Sequence, residues 1–292
     1  MVSADQPVLD PALVGRAHRA VEPLHNHVYF VPETEQHLTA IGLRPGRMVY
    51  FAGRAAPMGA VGPGVVTATF SNFSPAIVAR HVPRAWTLAA PEQVVAARFA
   101  AARASLTRLL GGEEAAAAPE VSELGDLLVE ACGVLTAEGR PLYAGHADLA
   151  WPADPVSRLW HATTLLREWR GDAHVAVLVR SGLSGLEALI THTATGRGFL
   201  PAAAKATRGW TDEEWDAGHA RLTDRGLLDG ETLTDAGRQL RVDVEAATDQ
   251  LSAAPWARLG PERTARVVEL GKRLSTTVVG NGAYPTGVLA GR

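Results

Sequence analysis

Residues 210–241 read WTDEEWDAGHARLTDRGLLDGETLTDAGRQLR, and this stretch decides the fold. Thr211-x-x-Glu214 is a capping box, in which each side chain satisfies the other residue's free amide, so a helix starts there. Gly226 ends that helix, and Leu227-Leu228 follows as a short edge strand. Asp229-Gly230-Glu231 turns the chain, and Thr234 caps the next helix. Helix, turn, helix, short strand, helix is therefore the pattern expected over 200–241.

Working outward, helix punctuation continues in both directions while strand alternation is scarce. Upstream, Ser184-x-x-Glu187 is a second capping box. Asp154-Pro155 opens a helix running to Trp169, Gly171 breaks it, and Asp172 reads as the cap of a further helix over 173–180. Helices are also expected over 121–136, over 91–110 with Gly111-Gly112 ending it, over 32–41, from Ser74-Pro75 to just before Pro83, and from Asp10-Pro11 to Glu22, where Pro23 stops it. Downstream, helices are expected over 235–253 and 261–274, with a tail over the last fifteen residues. Over 48–70 the β-branched Val65, Val66, Thr67 and Thr69 favour a strand. Nothing nearby offers that strand a partner, so the segment reads as helical. The small, acidic, Pro-containing segment 111–120 (GGEEAAAAPE) reads as a linker, although its alanines also suit a fraying helix. The expected class is mainly α, in two helical domains, 1–115 and 120–292.

Composition narrows the function classes. The chain has 292 residues and is 47% hydrophobic, enough for a substantial core. With 28 Lys+Arg against 31 Asp+Glu it is not a strongly basic nucleic-acid binder. One cysteine, Cys132, excludes a disulfide framework and a Cys-rich zinc site and suits a reducing cytoplasm. No window approaches an uncharged membrane span, and the first thirty residues lack a signal-peptide pattern. A cytoplasmic protein is expected, with no membrane partner.

The run Leu222…Gly226-Leu227-Leu228, then Leu233-Thr234-x-x-Gly237-x-x-Leu240, resembles the recognition helix, wing and following helix of MarR-type winged-helix proteins. The resemblance implies a winged-helix core with a small β wing in the second domain, and dimerisation helices over 235–253 and from 261, hence a possible homodimer. The charge departs from that pattern. Residues 211–225 carry Asp212, Glu213, Glu214, Asp216 and Asp224 against only Arg221 and Arg225, and the wing tip is acidic. Acids in a first turn complement the helix dipole, but they supply no cations for a phosphate wall. The expectation is a module that does not bind nucleic acid. The whole chain also resembles a helix-turn-helix group of actinobacterial proteins, through Tyr50-Phe51-Ala52-Gly53-Arg54-Ala55-Ala56-Pro57-Met58-Gly59, Thr69-Phe70…Phe73-Ser74-Pro75 and LREWRGDAH at 166–174. That resemblance implies a fold and no particular activity.

LREWRGDAH is also the most polar constellation inside an apolar region. Arg167 and Arg170 lie one turn apart, and His174 follows across Gly171 beside the expected helix start. Two guanidiniums beside free helix amides make a receptor for a carboxylate or phosphate. The structural alternative pairs the arginines with acids to lock helices together. His161 lies about 240° around the helix from Arg167 and joins only if a ligand reaches both. In His25-Asn26-His27-Val28-Tyr29, an extended chain would place His25, His27 and Tyr29 on one face, as a proton relay or as two of the ligands a metal needs. A third donor would have to come from elsewhere, with His81 or His161 as candidates, and no metal site is assigned. Tyr50 and Arg54 precede a run of small residues and offer a ring and an ionic anchor, or merely a tight bend. No nucleophile elbow, P-loop or dinucleotide fingerprint occurs, and no cofactor is indicated. Cys132 sits among leucines and valines and reads as an inert core thiol.

The combined expectation is a cavity between the two halves that binds a small organic anion. Arg54, Arg167 and Arg170 would orient it beside Tyr50 and His161, with His174, His25 or His27 moving a proton. Catalysis in specialised metabolism is favoured over sensing. The rivals are a MarR-like, ligand-responsive transcription regulator and a pocketless protein-interaction scaffold.

Overall fold

The computed structural model describes residues 9–196 and 198–285. The chain is mainly helical. In order it forms α1 (Pro11–Asn26), α2 (Pro32–Ala40), α3 (Arg47–Ala55), α4 (Pro63–Phe70), α5 (Pro75–Ala85), α6 (Pro91–Leu110), α7 (Glu113–Ala116) and α8 (Pro119–Cys132). There follow α9 (Pro141–Ala147), α10 (Pro155–Arg180), α11 (Gly185–Thr193), α12 (Pro201–Arg208) and α13 (Asp212–Asp224). The antiparallel pair β1 (Leu228–Asp229) and β2 (Thr232–Leu233) precedes α14 (Asp235–Leu251) and α15 (Ala254–Gly280). Proline occupies the first turn of many of these helices, where its missing N–H costs nothing and its fixed φ suits the helix. Asp10, Asp154, Ser184, Thr211 and Thr234 cap as their spacing requires, the two capping boxes with both reciprocal bonds.

The long helix α10 is the axis of the molecule. Its buried residues run around the whole circumference from Val156 to Leu178, because α1, α6, α8, α9 and α14 all pack against it. Helices from both sides of segment 111–120 share the largest apolar cluster, which contains Leu24, Leu109, Leu124, Leu159, Trp160 and Trp256. The first and last helices lie together. Ser275 donates to the carbonyl of Ala20 at 2.7 Å, and Gly271 approaches so closely that a Cβ would meet Val21 and Ala20 at 3.0–3.2 Å. A second cluster (Leu186, Ile190, Trp215, Leu222, Leu228, Leu233, Val244) gathers α11, α13, the hairpin and α14.

Several expected boundaries are corrected. Residues 155–180 form one helix: Gly171 does not interrupt it, and Asp172 is not its own helix's cap. The Asp172 carboxylate instead accepts from the amides of Leu142 and Tyr143 at 3.1 and 2.9 Å, capping α9, whose own cap residue Arg140 gives no side-chain bond. Burial of Trp169, Asp172 and Ala173 outweighs the roughly 1 kcal/mol that a mid-helix glycine costs. Helices α1 and α5 likewise run through Pro23 and Pro83. Segment 111–120 is not an extended linker but carries α7 and the start of α8, with Ala116 buried. Segment 48–70 is helical, as α3, a short 3-10 turn and α4. The last helix starts at Ala254, bends at Gly260 (φ 77°) before Pro261, and continues to Gly280, so the expected tail begins later. Residues 286–292 of that tail lie outside the described residues.

The loop 71–74 fastens the segment α11–α13 to the N-terminal helices. A Cβ on Gly185 would stand 1.9 Å from the Ser71 carbonyl oxygen. Trp210 Nε1 donates to the carbonyl of Asn72 at 2.9 Å, and the Ser74 amide donates to that of Arg208 at 2.9 Å. Arg47 donates to the carbonyls of Ala206 and Thr207. These contacts bring the end of α12 to the mouth of a cleft.

Candidate functional site: an arginine-lined cleft

The cleft has a volume of about 770 Å³ and lies between the N-terminal helices, α10 and the end of α12. Its cations come from four elements: Arg47 and Arg54 on α3, Arg98 on α6, Arg167 on α10 and Arg208 on α12. Glu22 and Glu35 are the acids in its lining, and Glu35 is occupied by the Gly46 amide at 2.9 Å. Its rings are Tyr29, Phe30, Tyr50, Phe51, Phe73 and Phe199.

Two arginines share one acid beneath the floor. Glu168 is fully buried, and its oxygens accept from Arg54 Nε at 3.0 Å, Arg54 Nη2 at 2.8 Å and Arg167 Nη1 at 2.6 Å. Burial pushes its carboxyl upward, but Arg167 and Arg54 overcome this and hold it well below the usual range. Arg54 also stacks over the Phe70 ring, 4.3 Å from its centroid.

Arg98 and Arg208 differ in kind, because neither has an acidic partner among the described residues. Buried Arg98 donates from Nη2 to the Tyr29 hydroxyl at 3.2 Å, while its buried Nη1 has no hydrogen-bond partner among the described residues. Arg208 lies between the rings of Phe73 and Phe199, 4.7 Å from each centroid; its Nη1 donates to Thr207 Oγ1 at 3.0 Å, and its buried Nε has no partner among the described residues. Burial, with Arg54, Arg47 and Arg167 close by, draws Arg208 below the ordinary guanidinium range. Unpaired buried donors beside a cleft suit an anion, and the flanking rings suit a planar one.

The structure gathers some of the sequence-derived residues and disperses others. Tyr50, Arg54 and Arg167 line the cleft together. Arg170 does not join Arg167. It faces α14, where Nη2 bonds to Asp249 at 2.8 Å and Glu245 at 3.2 Å. His174 lies along that same interface, Nδ1 2.9 Å from Thr248 Oγ1, and not at a helix start. The cause is the unbroken α10, whose faces meet different neighbours. His161 is buried against the rings of Trp151 and Phe99 and does not line the cleft. Residues 25–29 are helical rather than extended, so His25 and His27 part. His27 faces Leu24 and Ser105, while His25 touches Thr164 and the Tyr29 hydroxyl. Among the described residues no three His, Cys, Asp or Glu side chains converge as metal ligands. Cys132 is buried, and burial pushes its thiol up.

Arg98 and Arg208 are not among the sequence-derived residues. Arg98 carried a signal, since it lies on the apolar stripe of α6 with Val94, Ala101 and Ala102. Arg208 carried none, as only the docking of α12 brings it in.

The α13 surface is acidic. Asp212, Glu213, Glu214, Asp216 and Asp224 are exposed, whereas Arg221 is bonded to Glu187 at 2.9 Å and Arg225 to the carbonyl of Gly182 at 2.9 Å. A helix-turn-helix family model matches residues 14–285, nearly the whole described chain, and the protein belongs to that family. No curated protein and no solved structure matches it.

Proposed function

We propose that the protein binds a small organic anion in the arginine-lined cleft, with an aromatic carboxylate the best chemical match. The scaffold is a winged helix in which α12, the turn at Gly209-Trp210 and α13 are the helix-turn-helix, the β1–β2 hairpin is the wing, and α13 faces solvent without serving duplex DNA. The observation that carries the reading is the pair Arg98 and Arg208, whose buried donors lack partners beside aromatic walls. A carboxylate there would satisfy both and gain from charge-assisted bonds. Isothermal calorimetry with benzoate, phenylpyruvate and inorganic phosphate tests it. The expected result is saturable binding of an aromatic acid that exceeds phosphate and falls at least tenfold in Arg208→Gln. Ligand at 100 times its Kd stabilises by about 2.7 kcal/mol, which a melting curve reads independently. Binding of none of the three, or equal binding by Arg208→Gln, contradicts the proposal.

Membership of a helix-turn-helix family favours a second reading, a ligand-responsive transcription regulator. Because Arg208 ends α12, a ligand in the cleft would also bear on the α12–α13 pair. This reading requires a sequence-specific gel shift on the gene's own upstream region, weakening steeply with salt. A specific shift at physiological salt would replace the first reading of α13.

A further inference from the structure

We propose that Tyr29 is the proton-abstracting group of the cleft, with His25 behind it as the terminal proton acceptor and Thr164 fixing the histidine's tautomer. The inference rests on the anion-binding reading and adds reaction chemistry to it.

In the proposed arrangement the Thr164 hydroxyl gives its single proton to the carbonyl of Trp160, 2.8 Å away. Toward His25 Nδ1, 2.9 Å away, Thr164 Oγ1 is therefore the acceptor, and Nδ1 carries the imidazole proton. Nε2 is then the bare nitrogen, and the Tyr29 hydroxyl at 3.0 Å donates to it. Arg98 Nη2 donates to the Tyr29 oxygen at 3.2 Å from the other side. The phenol thus gives its proton to a base and receives support from a cation, while its ring lines the cleft beside Tyr50, 5.2 Å away.

The geometry makes a relay. A ligand C–H or O–H proton passes to Tyr29 Oη as the phenolic proton passes to His25 Nε2. The bonding electrons stay on the ligand, as an enolate or alkoxide facing the arginines, and His25 becomes imidazolium. The reverse step returns the proton, so no oxidant or co-reactant is needed. Burial and Arg167 oppose a charge on His25, and Glu168 favours it. Protonated His25 is therefore the uphill member of the relay, and the return step is the downhill one. Burial also holds the Tyr29 phenol neutral at rest, against the pull of Arg98.

The first test is nitrogen-15 spectroscopy of histidine-labelled full-length protein. The expected spectrum shows His25 protonated at Nδ1 with Nε2 a hydrogen-bond acceptor whose resonance moves in Tyr29→Phe. A proton on Nε2 overturns the proposal. The second test uses phenylpyruvate, a carboxylate with carbonyl-activated methylene protons, in deuterated buffer. The intact protein should exchange those protons at least 100-fold faster than Tyr29→Phe, within the range of general acid–base catalysis. His25→Gln and Thr164→Val should lose at least tenfold in kcat with KM unchanged, and Thr164→Ser should recover. Equal exchange by Tyr29→Phe, or binding without exchange above the solvent rate, refutes the relay and leaves the binding reading standing. Absence of binding refutes the binding reading and, with it, the relay that rests on it.

Discussion

Replacing Glu168 by glutamine preserves volume and shape while removing the negative charge beneath the cleft. In the native protein that charge sits at 0% exposure, 2.8 Å from Arg54 Nη2 and 2.6 Å from Arg167 Nη1. Glutamine would leave Arg54 without a counter-ion and Arg167 with only Glu22, 3.9 Å away, and would turn its own NH2 donor toward another donor. Breaking a buried pair in this way costs about 3–5 kcal/mol, because the stranded charge remains desolvated. At about 2–4 °C per kcal/mol for a chain approaching this size, the melting temperature should fall by roughly 6–20 °C. Thermal and urea denaturation of Glu168→Gln beside the native protein measures it. A loss below about 1 kcal/mol, the worth of an exposed ion pair, would show that the carboxylate is not the hub described and that solvent reaches it.

Three further outcomes are expected. Burial holds His18 near about 3 and His27, His161 and His174 near about 4, below the ordinary 6.5. The unfolded chain therefore takes up their protons first. Their stabilising contribution is complete above pH 6.5 and is lost toward pH 4 at up to about 1.4 kcal/mol per pH unit for each histidine. Asp172, raised to about 6 chiefly by burial, works in the opposite sense and offsets part of this. Acid titration followed by circular dichroism should show unfolding between pH 6 and 4.5, and a fold intact at pH 4 would contradict it. Gly185→Ala forces a Cβ to 1.9 Å from the Ser71 carbonyl oxygen, so it should cost at least about 2 kcal/mol in urea denaturation. An unchanged midpoint would deny the loop 71–74 its fastening role. Arg170→Ala should lower stability by about 1–2 kcal/mol through loss of Asp249 and Glu245. Benzoate affinity should stay unchanged, and a loss of affinity would place Arg170 back among the ligand anchors.

Local signals were legible in the sequence and long-range ones were not. Ser184, Thr211 and Thr234 act within three residues of themselves, so spacing alone locates their helices. Asp172 caps a helix thirty residues upstream, and no spacing rule reveals that its carboxylate is already engaged. Read as a local cap, it splits α10 in two and sets His174 and Arg170 beside Arg167, whereas both face α14. Pro23 and Pro83 misled similarly, because tertiary packing sustains helices that propensity would end. At the site, Tyr50, Arg54 and Arg167 line one cleft, while the pairing of helices that recruits Arg98 and Arg208 is a property of the whole core. Tyr29 was visible only as the third member of an extended face. Its helical placement gives it His25 and separates it from His27.

A crystal structure of the protein with phenylpyruvate bears most directly on the claim that the unpaired guanidiniums await an anion. The account predicts the carboxylate in the cleft with oxygens within about 3 Å of Arg98 Nη1 and Arg208 Nε, and the ring among Tyr29, Tyr50 and Phe73. A bound acid lying elsewhere, with both nitrogens still unpaired, would contradict it.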